Sequence, residues 1–253
     1  MEWNPESYAK FEGLRQRPAL DLMAQVPTLP SGDIVDLGCG SGFMATALKA
    51  RFKGRLVGVD NSASMLEKAA KSGEYDALIE ENISNWRGKP VLIFSNAALH
   101  WLPDHKTFFP RLAEMLPVGG VLAVQMPRQF DAPSHALLRE VATTLFPSRF
   151  DYTDYTPPVS PPERMAIILA PHGVPNIWET SYLQSLPAGE GHPVRAFTQS
   201  TAARPVLNKL NTAEQRRFLN AYDEALNEPY PLAMDGSVHF PFLRQFIILV
   251  RKR

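Results

Sequence analysis

The sequence predicts an α/β fold in which a mostly parallel sheet is flanked by helices, and three observations carry that prediction. Short apolar, β-forming runs recur at residues 33–37, 55–59, 77–79, 91–95 and 120–125, with helical patterns between several of them. The runs are continuous rather than alternating, as in strands covered on both faces. The first run closes on Gly38-Cys39-Gly40-Ser41-Gly42, and a helical pattern resumes directly after it.

Taken in order, residues 14–26 place Leu14, Leu20, Leu22, Met23 and Val26 mostly on one helical face, with Pro18 tolerable near a helix start, and so predict a covering helix. Asp33 to Leu37 is the first strand, and Met44, Ala45, Ala47 and Leu48 begin the helix after the glycine turn. Arg55 to Val59 forms the second strand, ending at Asp60, and Ser64 to Lys71 reads as a helix, which completes a βαβ unit. Between the later strands, His105 to Leu116 spaces Phe108, Leu112, Met115 and Leu116 as a helix does. After Pro127 the rhythm fades, because Pro147, Pro157, Pro158, Pro161 and Pro162 repeatedly remove a backbone N–H. Pro162 to Leu169 and Ala213 to Leu226 look helical, and Phe240 to Val250 reads as late strand material. The expected layout is one domain over 1–253: a sheet core at 31–127, a mixed sheet and substrate-cap region at 128–235, and sheet again at 236–253.

The totals narrow the function. The chain has 253 residues, 26 Lys+Arg against 26 Asp+Glu, and a single cysteine, Cys39. No disulfide can form within a monomer, which fits a reducing compartment and a cytoplasmic location. No apolar run is long enough to span a bilayer, and the first residues carry no apolar signal core, so no membrane partner is expected. A net charge of zero argues against coating nucleic acid, yet leaves room for a small arginine-lined pocket that holds an anion. The six histidines show no HExxH or comparable spacing, so no metal is expected.

Gly38, Gly40 and Gly42 follow a strand directly, so the backbone can turn sharply and approach a ligand closely. Asp60 stands 22 residues beyond Gly38, where a carboxylate can accept both hydroxyls of an adenosine ribose. A nicotinamide dinucleotide would want a third glycine or an alanine where Phe43 stands, and Asp36, two residues before the first glycine, would repel its pyrophosphate. The same Asp36 would attract the ammonium and sulfonium of S-adenosylmethionine. A tight turn with no ligand and a dinucleotide site remain the alternatives.

At this point the chain resembles the class I S-adenosylmethionine-dependent methyltransferases, and more closely the trans-aconitate 2-methyltransferase family. The stretches that carry the resemblance are WNPESYAKF, RPALDLMAQVP, VDLGCGSG, GVDNSASMLEKA, NISNW, IFSNAALHWLPDH, LPVGGVLAVQMP and RQFIILV; it is weakest between 128 and 195. It implies a Rossmann-like fold with a seven-stranded sheet, the cofactor at the carboxyl ends of the first strands, and a cap formed by the N-terminal segment and later insertions. It places Asp36, Gly38, Cys39 and Gly40 at the methionyl part, Asp60 and Asn61 at the ribose, Asn82 and Ile83 beside adenine, and Asn96 and Ala97 beside the transferred methyl. Three positions depart from the family pattern: Asn82 stands for a usual Asp, Val91 for a usual acid, and Arg128 for an acid in PRQFDAPSH. An asparagine still accepts a hydrogen bond from the adenine amino group through its side-chain oxygen.

Methyl transfer from sulfonium needs alignment and the exclusion of water, and an ionised carboxylate acceptor needs no general base. The expected activity is therefore formation of a methyl ester on a small carboxylic acid, with trans-aconitate as the family's acceptor. Arg128, Arg195, Arg204 and Arg244 are candidates for holding the acid's other negative groups, against solvent-facing or structural ion pairs. His100 and Trp101 follow the fourth strand as alignment candidates, the alternatives being a surface histidine and a core tryptophan; adjacent side chains are expected to diverge, so the two should not face one ligand together. His105 and His172 are weaker candidates. Trp3 and Tyr8, with Phe11, form an aromatic segment that would dry the mouth or else cover a hydrophobic face. Cys39 reads as a small packed residue of the loop, since no adjacent base marks it as a nucleophile. The competing readings are a methyltransferase for a hydroxyl, amine or carbon acceptor and a cofactor-binding protein without turnover.

Overall fold

The structure, a computed structural model, describes residues 12–252. Its framework is a seven-stranded sheet in the order β3-β2-β1-β4-β5-β7-β6. The strands are β1 (Ile34–Leu37), β2 (Leu56–Asp60), β3 (Ala77–Glu80), β4 (Leu92–Asn96), β5 (Val121–Pro127), β6 (Gly173–Leu186) and β7 (Val238–Arg251). The pairings among the first five are parallel, and β7 runs antiparallel to β5. The helices are α1 (Glu12–Ala24), α2 (Ala45–Arg51), α3 (Ala63–Ala70), α4 (His105–Glu114), α5 (Pro133–Leu145), α6 (Pro162–Leu169), α7 (Pro193–Gln199), α8 (Arg204–Leu207) and α9 (Thr212–Leu226).

The apolar runs read from the sequence become the inner strands. All four residues of β1 are buried, as are Leu92 to Ser95 of β4 and Val121 to Met126 of β5. After β1 the chain moves outward through β2 and β3, then returns to the other side of β1 as β4. The strand order therefore reverses between β1 and β4, which opens a crevice at their carboxyl ends, where ligands of open α/β sheets bind. Register brings Asp36 level with Gly58 on one side and Phe94 on the other, and Asn96 level with Gln125.

Two compact units divide the chain. One comprises Arg15–Pro127, Pro158–Thr180 and the residues from Arg244 onward; it contains β1 to β5. The other includes Arg128–Pro157 and Ser181–Leu243 and has its own core, with Phe146, Phe197, Phe218, Tyr222, Leu226 and Phe240 among the buried residues. Full burial of such side chains contributes roughly 1.5–3 kcal/mol each. In this unit α9 starts on a capping box: the Asn211 side chain accepts from the Glu214 N–H, and the Glu214 carboxylate accepts from the Asn211 N–H. Such a cap stabilises a helix by about 1 kcal/mol.

Where the sequence rhythm fades, the structure still holds regular elements. α5, α7 and β6 were not legible as periodic runs. β6 ends the sheet order and is mostly half-buried or exposed, with only Gln184 and Leu186 buried, so it carries no continuous apolar run and tolerates Pro175. No helix among the described residues is long and apolar enough to cross a membrane.

Candidate active site

The turn after β1 is built on positive backbone φ angles. Gly38 has φ +81° and Gly40 φ +55°, conformations that side chains oppose. A Cβ on Gly38 would lie 2.3 Å from the Cβ of Ala98, so the loop passes directly against the turn that follows β4. A Cβ on Gly40 would meet nothing within 4 Å. The loop is thus anchored at Gly38 and open at Gly40, a backbone cradle in which a ligand can lie.

Asp60 holds that cradle in shape. Its Oδ2 accepts from the Gly40 N–H at 2.9 Å and its Oδ1 from the Ser62 N–H at 3.0 Å. Each carboxylate oxygen has two lone pairs, so one on each remains for a pair of vicinal hydroxyls. Asn61, next in the chain, is exposed.

Asp36 sits deeper, 3% exposed, and accepts a hydrogen bond from the Tyr75 hydroxyl at 2.7 Å. Burial pushes its pKa up to about 7; the Tyr75 hydrogen bond works against this and the nearby Asp60 charge adds to it. Burial and the same two carboxylates push the Cys39 thiol well above its ordinary range. Cys39 is buried and directs its Sγ toward the Gly40 carbonyl, so it is a neutral packed group here.

On the far side of the crevice, Asn82 is exposed and its Oδ1 accepts from both the backbone N–H and the hydroxyl of Ser84. The Ile83 side chain reaches to 3.1 Å from the Cβ position of Gly38. The guanidinium of Arg111, on α4, donates to the Ser84 and Ile83 carbonyls and so fastens this loop. At the end of β4, Asn96 has a buried Oδ1 without a hydrogen-bond partner. Ala97 adopts φ +53°, unusual for a residue with a side chain, and its N–H donates to the Gln125 carbonyl at 2.9 Å.

His100 and Trp101 lie in a short 3-10 turn, Leu99–Trp101. Their rings do not diverge as expected: the centroids are 4.7 Å apart with planes tilted by 40°. Trp101 is 66% exposed, which removes the core reading for it. His105 is buried, with Nε2 against the Leu99 carbonyl, and His172 takes the Arg251 guanidinium on Nδ1.

The four arginines differ in what they touch. Arg195 forms an ion pair with Asp223 at 2.8 Å and also donates to the Glu190 carbonyl and the Gln199 side chain. Its charge is engaged inside its own unit, as a structural ion pair. Arg128 donates to Asp131 at 3.0 Å. Arg204 begins α8 and is half-buried. Arg244 is 5% exposed and lies on β7 opposite Pro127. Trp3, Tyr8 and Phe11 lie outside the described residues. No cluster of potential metal ligands occurs among the described residues.

Comparison with known proteins decides the family. Residues 35–124 match the model for a methyltransferase domain. The trans-aconitate 2-methyltransferase of Afipia carboxidovorans is 40% identical over 257 aligned residues, covering 99% of each chain. The chain belongs to the trans-aconitate 2-methyltransferase family. Among solved structures, the YcgJ protein of Bacillus subtilis superposes with a TM-score of 0.59 at 13% identity, covering 94% of this chain and 99% of that one. A Haemonchus contortus phosphoethanolamine N-methyltransferase 2 in complex with S-adenosyl-L-methionine gives 0.53 at 14% identity, covering 94% of this chain and 53% of that one. These two likenesses show the fold.

The chain is thus an S-adenosylmethionine-dependent methyltransferase of Rossmann-like fold. The site suits that cofactor on its own terms: an open glycine cradle, a carboxylate with lone pairs for a ribose, and a buried acid for a cation. Tyr75, Arg111 and Gln125 contact the candidate residues Asp36, Ile83 and Ala97 and were missed in the sequence. Tyr75 is 39 positions from the acid it binds and Arg111 is 27 from the carbonyl it holds, and no local pattern marks either pairing.

Proposed function

We propose that this methyltransferase forms a methyl ester on a carboxylate of a small polycarboxylic acid, with trans-aconitate, the acid named for its relatives, as acceptor. The observation that carries the reading is the character of the groups beyond the glycine loop. At the carboxyl ends of β4 and β5 stand two neutral amides, Asn96 and Gln125, and on β7 the buried Arg244. Amides and a guanidinium recognise an anion, and an ionised carboxylate has no proton to give up, so no base is required.

S-adenosylmethionine supplies a methyl group on positively charged sulfur: a carboxylate lone pair forms the new C–O bond while the C–S pair leaves with sulfur, cancelling one negative and one positive charge. We assign the residues of the chain as follows. The loop backbone at Gly38 to Gly40 bears the methionyl part, with Cys39 packed beneath it. Asp36 faces the positive end, where an ionised carboxylate lowers the energy of a buried cation. Asp60, beside Asn61, holds the ribose hydroxyls. Asn82 and Ile83 flank the adenine, held in place by Arg111. Asn96, Ala97, His100 and Trp101 wall the methyl side, and Arg244 is the candidate for the acid's remaining charges. The chemistry asks for alignment and exclusion of water rather than proton transfer. A small metabolite acceptor and one buried thiol support a cytoplasmic location for the enzyme.

An acceptor panel tests this. With labelled cofactor, polycarboxylic acids should be methylated with kcat/KM at least tenfold above monocarboxylic acids, phenols and amines. Preferential labelling of a hydroxyl or amine acceptor refutes the carboxylate reading, and cofactor binding with no product from any acceptor favours a binding protein.

A further inference from the structure

Gln125 is fully buried, and neither its Oε1 nor its Nε2 has a hydrogen-bond partner. A primary amide offers two donors and two acceptor lone pairs. Interior amides are almost always paired, so an unpaired one calls for a reason. Register fixes the face on which it stands. Gln125 pairs with Asn96 on β4 and with Phe246 on β7, and Pro127, two residues on, pairs with Arg244. Asn96, Gln125, Phe246 and Arg244 therefore share one face of the sheet. Directly opposed residues there are about 5 Å apart and diagonal ones about 7–8 Å, within reach of side chains of this length. Phe246 stacks on Trp178 with ring centroids 4.9 Å apart and so lines the patch with an apolar side. Gln245, equally buried and without a side-chain partner, pairs with Met126 and faces the opposite side of the sheet.

We infer that this face is the acceptor subsite: Gln125 presents its amide N–H to the carboxylate that receives the methyl, and Arg244 holds a second carboxylate of the same molecule. The inference rests on the carboxylate reading given above and adds the division of labour within it. A neutral donor fixes one oxygen of the reacting carboxylate while leaving the other with its charge, and hence its nucleophilicity. A guanidinium in that place would stabilise the anion more strongly and blunt it. The arginine belongs on the carboxylate that does not react, where binding strength does not oppose the displacement. Asn96, whose unpartnered Oδ1 lies beside Gln125, accepts from a protonated carboxyl of the acid.

The test is the binding of trans-aconitate to the protein saturated with S-adenosylhomocysteine, by calorimetry, alongside steady-state kinetics. Gln125→Leu should weaken acceptor binding and raise its KM at least tenfold, while S-adenosylhomocysteine affinity stays within twofold. Gln125→Glu, of equal size, should weaken the acceptor further, with partial recovery as the pH is lowered, a readout that a purely structural glutamine would not give. Arg244→Gln should remove the preference for polycarboxylic over monocarboxylic acids. Unchanged acceptor binding in both Gln125 variants overturns the inference, as does an equal loss of S-adenosylhomocysteine affinity. If the wild type binds S-adenosylhomocysteine but esterifies no acid, the carboxylate reading falls and the inference falls with it; an active wild type with indifferent Gln125 variants overturns the inference alone.

Discussion

Replacing Asp36 by Asn separates the cost of the buried acid from its use. The carboxyl is 3% exposed, bonded to Tyr75 at 2.7 Å, and raised from 3.8 to about 7. A raised acid binds its proton more tightly in the folded than in the unfolded chain, so the contribution of Asp36 to stability is fully present below about pH 4 and is lost as the pH rises through about 7. With about 1.4 kcal/mol per pKa unit, the ionised carboxyl costs the cofactor-free protein about 4 kcal/mol at pH 8. Asn keeps an oxygen for the Tyr75 hydroxyl and carries no charge. Urea unfolding of the two proteins should give nearly equal stability at about pH 4 and an advantage for Asp36→Asn approaching about 4 kcal/mol at pH 8. Because groups common to both proteins cancel, the difference reports Asp36 alone. Cofactor affinity should move the opposite way: in the wild type it should strengthen as the pH rises toward 7, and in Asp36→Asn it should be at least tenfold weaker and flat with pH. A stability difference that is the same at both pH values refutes the assignment of a buried, proton-holding carboxyl. A variant that binds cofactor as tightly as the wild type refutes the role of the charge.

The other predictions concern the same loop and the second unit. Gly38→Ala drives a Cβ to 2.3 Å from Ala98 at φ +81° and should lower thermal stability steeply, whereas Gly40→Ala, at φ +55° with open space around it, should cost only about 1 kcal/mol and lose cofactor affinity instead; melting curves and calorimetry of both variants separate the two effects. Tyr75→Phe leaves the buried Asp36 without its hydroxyl donor, so the Asp36 pKa should rise above about 7 and the pH at which cofactor binding strengthens should rise with it. His135 is held neutral by burial and by Arg139, with its pKa lowered to about 4; a lowered histidine contributes stability that is lost as the pH falls from about 6.5 to about 4, about 3 kcal/mol in all. An NMR titration of its ring should show no protonation at pH 6.

What the sequence made legible were features that rest on short-range pattern. The continuous apolar runs at 33–37, 91–95 and 120–125 became inner strands because burial on both faces leaves no polar positions to interrupt them. The glycine loop and Asp60 were readable because their spacing follows from one βαβ unit, and the structure closes them with the Gly40 N–H bond. What stayed hidden depends on register and on distant pairing. β6 is mostly half-buried or exposed, with Gln184 and Leu186 its only buried residues, and no apolar run marks it in the sequence. Gln125 sits inside an apolar run, where it looks like an interruption; only the pairing with Asn96 and Phe246 shows that it shares a face with Arg244. For Arg195 the sequence left an anion contact and a structural ion pair both open for the same reason, because its partner Asp223 lies 28 residues away and on another helix.

The measurement that bears most directly on the central claim is the mass and chemical lability of the product formed from trans-aconitate and methyl-labelled S-adenosylmethionine. The account predicts one added methyl group per molecule, released by mild alkali as methanol, with one S-adenosylhomocysteine formed for each ester. A labelled product stable to alkali would place the methyl on another kind of atom, and the absence of any product from an enzyme that binds the cofactor would contradict the account.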